Sequence, residues 1–133
     1  MEVRIPQRLV DAMVAHARAD APNECCGLLI GVDTLVREAV AAGNIRQSPS
    51  RYEIDPADHF AAVRHARATG QEIVGAYHSH PRGPSMPSPT DAAELNDPTM
   101  THVIVSLGTN PPSVRAFRWA DGNFVAIDLV PVP

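Results

Sequence analysis

Basic residues are in deficit in this chain of 133 residues: 11 Lys and Arg against 15 Asp and Glu, for a net charge of −4. That balance lacks the electrostatic footprint of a nucleic-acid-binding domain. Long apolar runs are missing too, and none approaches the roughly 20 residues that span a bilayer. The opening, MEVRIPQRLVDAMV, has neither the basic start nor the unbroken apolar segment of a secretory signal. Cysteine is scarce, and the two present, Cys25 and Cys26, are neighbours that cannot staple distant segments. A reducing cytoplasm is the expected compartment, with no nucleic-acid or membrane partner. No repeat, low-complexity tract or linker divides the chain. Its length suits one compact domain, 1–133, able to bury a core.

What is there reads as alternating helices and strands, then hairpins. Leu9, Val10, Met13, Val14 and Ala17 recur with helical spacing, predicting a helix from about Pro6 to Ala19. Cys25 to Val32, a continuous apolar run, reads as a buried strand, and Leu35 to Ala42 as the next. Tyr52-Glu53-Ile54 alternates as a further short strand would. Asp55-Pro56 is a helix start, and that helix should run to Thr69 with Gly70 as its stop. Phe60 and Val63, with Ala66 or Arg67, mark its expected inner face. Glu72 to Ser79 reads as a buried strand ending at two histidines, 81–89 as a proline-rich loop, and Thr90 as the start of a short helix. His102 to Leu107 is a strand, and Asp121-Gly122 turns Val114–Trp119 back into Phe124–Val130. The sum is an α/β (α+β) domain: a mixed, mainly antiparallel sheet flanked by helices.

The run HSHPRGPSMPSPTD, from His78 to Asp91, carries the chemistry. By composition alone, H-x-H followed by S-x-x-D at this spacing has a chance expectation on the order of 1 in 1,000. Residues two apart on a strand face the same way, about 6.6 Å apart, so His78 and His80 can tilt towards one metal ion. Asp91 falls in the first turn of the next helix, where free amides and the helix dipole favour an ionised carboxylate. Three protein ligands leave a fourth position for water, the pattern of a catalytic zinc site. Hydrolysis also needs a group to move the water's proton. Glu24, just before the first apolar strand, is the best placed candidate, ahead of Glu53 in its alternating segment and Glu94 on a solvated helix face. Ser88 could donate to an oxyanion.

Blander readings stand beside these. Ser88-Pro89-Thr90-Asp91 fits a helix capping box as it stands. Taken alone, capping is the better account of both residues, and the two histidines tip the balance towards a metal. Glu24 alone would be a solvated turn residue. Cys25 and Cys26 read as small strand residues, at least one buried. A nucleophilic cysteine paired with a histidine has no further support. His16, His59 and His65 read as surface residues, and His102 as a strand residue rather than a ligand. Arg46 and Arg51 flank a polar loop, solvated or in reach of a partner's tail. Trp119 should pack in the hairpin.

The run HSHP…SPTD, with NECCGLL from Asn23, YEIDP and IVGAYHSHP, resembles the JAMM (MPN+) metalloprotease domain over nearly the whole chain. The resemblance implies a JAMM/MPN-like, cytidine-deaminase-like fold holding one Zn2+ per chain. It makes His78, His80 and Asp91 the zinc ligands, Glu24 the general acid/base and Ser88 the oxyanion stabiliser. It implies a peptidase or isopeptidase that cuts after the C-terminal di-glycine of a ubiquitin-fold or sulfur-carrier protein. The loops around 42–51 and 81–89 are short beside those that grip ubiquitin in eukaryotic relatives. A di-glycine tail is expected to add to an exposed strand edge beside the metal. Two rival functions follow from the same residues: a non-catalytic, zinc-stabilised module that binds a ubiquitin-like partner, and a hydrolase of small amides or peptides.

Overall fold

The computed structural model describes residues 1–133. The elements are β1 (Glu2–Pro6), α1 (Gln7–Asp20), β2 (Cys26–Val32), β3 (Leu35–Ala42), α2 (Pro56–Ala68), β4 (Glu72–His80), α3 (Pro89–Ala93), β5 (Thr101–Ser106), β6 (Ser113–Ala120) and β7 (Asn123–Val132). The strands lie in the order β1-β3-β2-β4-β5-β6-β7 and close into a barrel. β2 is antiparallel to β3 and β4, and β6 to β5 and β7. β4–β5, β1–β3 and β1–β7 are parallel. The mixed, mainly antiparallel sheet with helices is as expected. Its closure, and β1 itself, were not. β1 is five residues long, and its partner is the far end of the chain: Glu2–Pro6 pair with Asp128–Val132. No local periodicity encodes such a pairing. On its other side β1 meets β3 at a single pair, Arg4 with Leu35.

Period-two alternation sorts each strand between two apolar clusters. One cluster draws on Val3 and Ile5 of β1, Leu29 of β2, Val36 of β3, Tyr77 of β4, Val103 and Val105 of β5 and Ala116 of β6, with Ile127 and Leu129 of β7 packed against it. Since every strand contributes, this is the barrel's interior. α1 adds Leu9, Val10, Met13 and Ala17, the face its spacing predicted. Fully burying a side chain such as Ile5, Met13 or Leu29 is worth about 1.5–3 kcal/mol. On the outer face, Leu28, Ile30 and Ala76 receive Ala62 and Ala66 of α2. β4 therefore sends Tyr77 and Ser79 inward and Ala76, His78 and His80 outward.

α2 starts as its sequence dictates: the Asp55 side chain accepts from the Ala57 amide at 2.9 Å, with Pro56 next. Its buried face is not the one expected. Phe60 is 65% exposed, its ring under the Arg64 guanidinium at 5.9 Å. Two alanines let the helix backbone approach the sheet closely, and that packing turns Phe60 outward. Tyr52-Glu53-Ile54 is no strand, and one bridge, Asn44 with Ile54, is all it forms. The β6–β7 turn takes positive φ at Asp121 (52°) and Gly122 (80°), as an Asp-Gly hairpin requires. Trp119 packs there edge-on to Phe124 at 5.0 Å. No helix is long and apolar enough to cross a membrane.

Candidate metal centre

The outward residues at the end of β4 meet α3 and the segment before β2. Ligand atoms of Glu24, His78, His80 and Asp91 all lie within 4.8 Å of one another. Three of them form a tighter triangle. His78 Nε2 and His80 Nε2 are 3.2 Å apart, and Asp91 Oδ2 is 3.2 and 3.1 Å from them. The edge of a tetrahedron around zinc, with bonds near 2.0–2.1 Å, is about 3.3 Å. The donor set and its spacing fit such an ion.

The protonation state points the same way. His80 Nδ1 lies 2.7 Å from the Pro84 carbonyl oxygen, which can only accept, so Nδ1 carries the proton and donates it. Nε2 then turns its lone pair to the cluster, as in metal-bound imidazoles oriented by a backbone carbonyl. Two lone-pair nitrogens and a carboxylate oxygen packed at 3.1–3.2 Å repel unless a proton or a cation joins them. Without a metal, burial pushes the His78 imidazole down. Burial also opposes charge on His80, but Asp91 and the Pro84 carbonyl hold that imidazole above its ordinary value. Asp91 is buried too, and its contacts with the two histidines outweigh that and keep the carboxyl far below the usual range. Tyr52 stacks on the His78 ring, centroids 4.3 Å apart at 19°, and fixes its plane.

The capping box proves real. Ser88 Oγ accepts from the Asp91 amide at 3.0 Å, and Asp91 Oδ2 accepts from the Ser88 amide at 2.9 Å. Capping and ligation are not alternatives, because the same Oδ2 that accepts from the Ser88 amide also faces the two imidazoles. The Ser88 hydroxyl hydrogen stays free to donate, and Ser88 shares a cavity with Glu24 and His80.

Glu24 is 3% exposed, and its Oε1 has no hydrogen-bond partner in the protein. Burial pushes its carboxyl up to about 7, against the pull of His80 and with the help of Asp91 and Glu94. Its backbone is held from both sides: its amide donates to the Ser48 carbonyl at 2.8 Å, and its carbonyl accepts from Asn44 Nδ2 at 3.0 Å. Asn44 also donates to the Arg51 carbonyl and accepts from the Arg46 and Glu53 amides. One amide thus fixes the 44–53 loop against the segment before β2 that presents Glu24. Sequence reasoning missed Asn44, Tyr52 and the Pro84 carbonyl, whose contacts span loops and carry no spacing signal.

The other candidates fall outside the cluster. Arg46 pairs with Glu53 at 3.1 Å, and Arg51 with Glu94 at 2.8 Å. His16 contacts the Tyr77 hydroxyl, His65 pairs with Glu38, His59 is exposed, and His102 is buried edge-on to Phe124. Both cysteines are buried, and burial raises their thiols to about 11 (Cys25) and about 12 (Cys26), which removes the nucleophile reading. The histidine strand itself has no free edge, because Cys26 and Ile104 flank His78 on the two neighbouring strands. Two cavities flank the cluster instead. One of about 560 Å3 reaches His78 and Asp91, and one of about 670 Å3 reaches Glu24, His80 and Ser88.

Residues 6–120 match the sequence profile of prokaryotic homologues of the JAB domain. The chain is 35% identical over 119 residues to the CysO-cysteine peptidase of Mycobacterium tuberculosis, covering 86% of this chain and 80% of that one. It is 34% identical over 124 residues to a probable TtuB-protein conjugate cleaving protease of Thermus thermophilus, covering 92% and 80%. The solution structure of a Desulfitobacterium hafniense protein superposes with a TM-score of 0.90 at 31% identity, covering 99% of this chain and 93% of that one.

Proposed function

Because the chain belongs to the family of prokaryotic JAB-domain homologues and is a peptidase of that family, we propose that it is a zinc-dependent hydrolase. It cuts the bond after the C-terminal di-glycine of a ubiquitin-fold or sulfur-carrier protein. The observation that carries this reading is the convergence of Glu24, His78, His80 and Asp91 within 4.8 Å at the mouths of two cavities. His78, His80 and Asp91 are the zinc ligands, Glu24 the general base and then acid, and Ser88 the oxyanion donor. Residues 1–133 act as one domain, and two free, buried thiols suit a reducing cytoplasm.

When bound, zinc supplies Lewis acidity that lowers a water's pKa and polarises the scissile carbonyl. Glu24 takes the attacking water's proton. A carboxyl pushed to about 7 by burial is poised to accept it and to give it up again near neutral pH. Ser88 donates its free hydroxyl hydrogen to the oxygen that becomes negative. Glu24 then delivers the proton to the departing amine, which must lie on Glu24's side, in the 670 Å3 cavity. The glycine tail lies on the other side, across the cavity that reaches His78 and Asp91. Glycines have no side chain to collide with Tyr52 above His78.

The test measures zinc per chain and follows cleavage of carrier conjugates by intact mass. One equivalent of zinc, turnover by the wild type and none by Glu24→Gln support the reading. A protein that stays metal-free at normal zinc supply sinks it. Binding of the carrier without turnover would favour the docking module, and cleavage of free dipeptides alone the small-amide hydrolase.

A further inference from the structure

The 670 Å3 cavity beside Glu24 has an unusual wall. Pro22, Pro49, Pro81, Pro84, Pro87 and Pro89 line it, and Arg82 is its one cation. Proline fixes its own φ, so such a wall changes little when a ligand enters. The loop carrying Arg82 is also tied down. The Ser106 hydroxyl donates to the Gly83 carbonyl, the Leu107 amide donates to the His80 carbonyl at 3.2 Å, and the Ser85 and Ser113 hydroxyls meet at 2.7 Å. Gly108 closes the contact from beneath, where a Cβ would stand 2.7 Å from the Arg82 carbonyl oxygen.

The Arg82 side chain itself is exposed and makes no ion pair, whereas Arg46 and Arg51 near the other cavity are held by Glu53 and Glu94. Glu24 is the only carboxylate lining Arg82's cavity. The other cavity is lined by Glu53, Asp91, Glu94 and Asp97 against the single arginine Arg46. A free guanidinium on a fixed loop, lining the same cavity as the group that protonates the departing amine, can receive an anion attached to that amine.

We propose that this cavity is the amine-side subsite and that Arg82 binds there the free α-carboxylate of a single amino acid joined through its α-amine to the di-glycine end. The proposal rests on the hydrolytic reading above. Water's oxygen bonds to the glycine carbonyl carbon as the C–N bond breaks, and Glu24 carries the water's proton to the nitrogen. The products are the carrier with its glycine carboxylate and a free amino acid. Conjugates of a lysine side chain within a protein offer Arg82 no such carboxylate and are the poorer substrates.

The test uses a ubiquitin-fold carrier whose Gly-Gly end is extended by one alanine, as the free acid and as the carboxamide. The wild type cleaves the acid roughly tenfold to a hundredfold more efficiently, mainly through KM, as losing a hydrogen bond to a charged group predicts. Arg82→Gln brings the two rates together, and Arg82→Lys restores part of the preference. Equal rates in the wild type, or a preference that survives in Arg82→Gln, overturn the proposal. Cleavage of a lysine-linked conjugate alone also overturns it, and if the wild type cuts none of the three the hydrolytic reading falls. The affinities of the two conjugates for zinc-loaded Glu24→Gln, with and without Arg82→Gln, still decide the subsite.

Discussion

The two faces of β4 obey different rules although their residues alternate along one strand. Inward, Tyr77 and Ser79 are buried and satisfied: the Tyr77 hydroxyl meets His16 Nδ1 at 2.7 Å, and Ser79 Oγ accepts from the Cys25 amide at 2.8 Å. Outward, His78 and His80 are as deeply buried, yet they face Asp91 and Glu24 with lone pairs and charge and too few protons. Burying polar atoms without partners costs free energy, so folds keep them rare. The buried side-chain atoms left without a partner are Glu24 Oε1 beside this cluster, His102 Nε2 on β5 and Gln71 Oε1 ahead of β4. The inner face is packed and paired, whereas the outer face gathers the donor set proposed to hold a cation and a base.

The largest effect that could break this contrast is loss of a proposed zinc ligand. His80→Ala should bring zinc from one per chain towards none. It should cut turnover by at least about 10³-fold, because the metal's charge stabilisation is worth several kcal/mol. Metal analysis and single-turnover assays check both. Glu24→Gln should keep zinc and lower kcat by roughly 10²–10⁴, the range of a positioned general base. A Glu24→Gln variant that lost its zinc would make Glu24 a ligand instead. Ser88→Ala should lower kcat by about 10²–10³ through the oxyanion, with a separate loss of about 1 kcal/mol in stability from the helix cap. A thermal shift without a kcat change would leave Ser88 as a cap alone.

On the inner face, Met13→Ala should cost about 2–5 kcal/mol of stability by leaving a cavity. Zinc per folded chain should stay the same, as denaturation with metal analysis would show. The smallest effect is a pH slope. Glu24's folded value of about 7 lies above its ordinary 4.5, so the folded state binds the extra proton. Its stabilising share is fully present below 4.5 and is lost as pH rises through 7. Metal-stripped wild type should therefore lose stability relative to Glu24→Gln across that window in thermal melts, and a flat difference would put Glu24 in solvent.

Much of the site was legible because its parts are close in sequence. β4, the 81–89 loop and α3 follow one another, so the spacing of His78, His80, Ser88 and Asp91 records their geometry. Glu24 was legible as a candidate from its place before the first apolar strand, but only the family resemblance promoted it over a solvated turn residue, since nothing before β2 marks a buried carboxylate. Arg51's pairing with Glu94 and the Tyr52 stack on His78 join segments whose distance no periodicity reports. α2 shows the limit of periodicity on a helix. Phe60, Ala62, Val63 and Ala66 span more than one face, and the close fit of alanines on β2 and β4 chose between them.

By itself the sequence determined the order of helices and strands, the caps, the Asp-Gly hairpin and the ligand run, because each is set by interactions within a few residues. Tertiary structure decided the barrel's closure through β1 and β7 and left the histidine strand no free edge. It also brought Glu24 to the cluster and turned Arg82 towards Glu24's cavity. Those outcomes depend on pairings between distant segments, whose free energy exists only once the chain has folded.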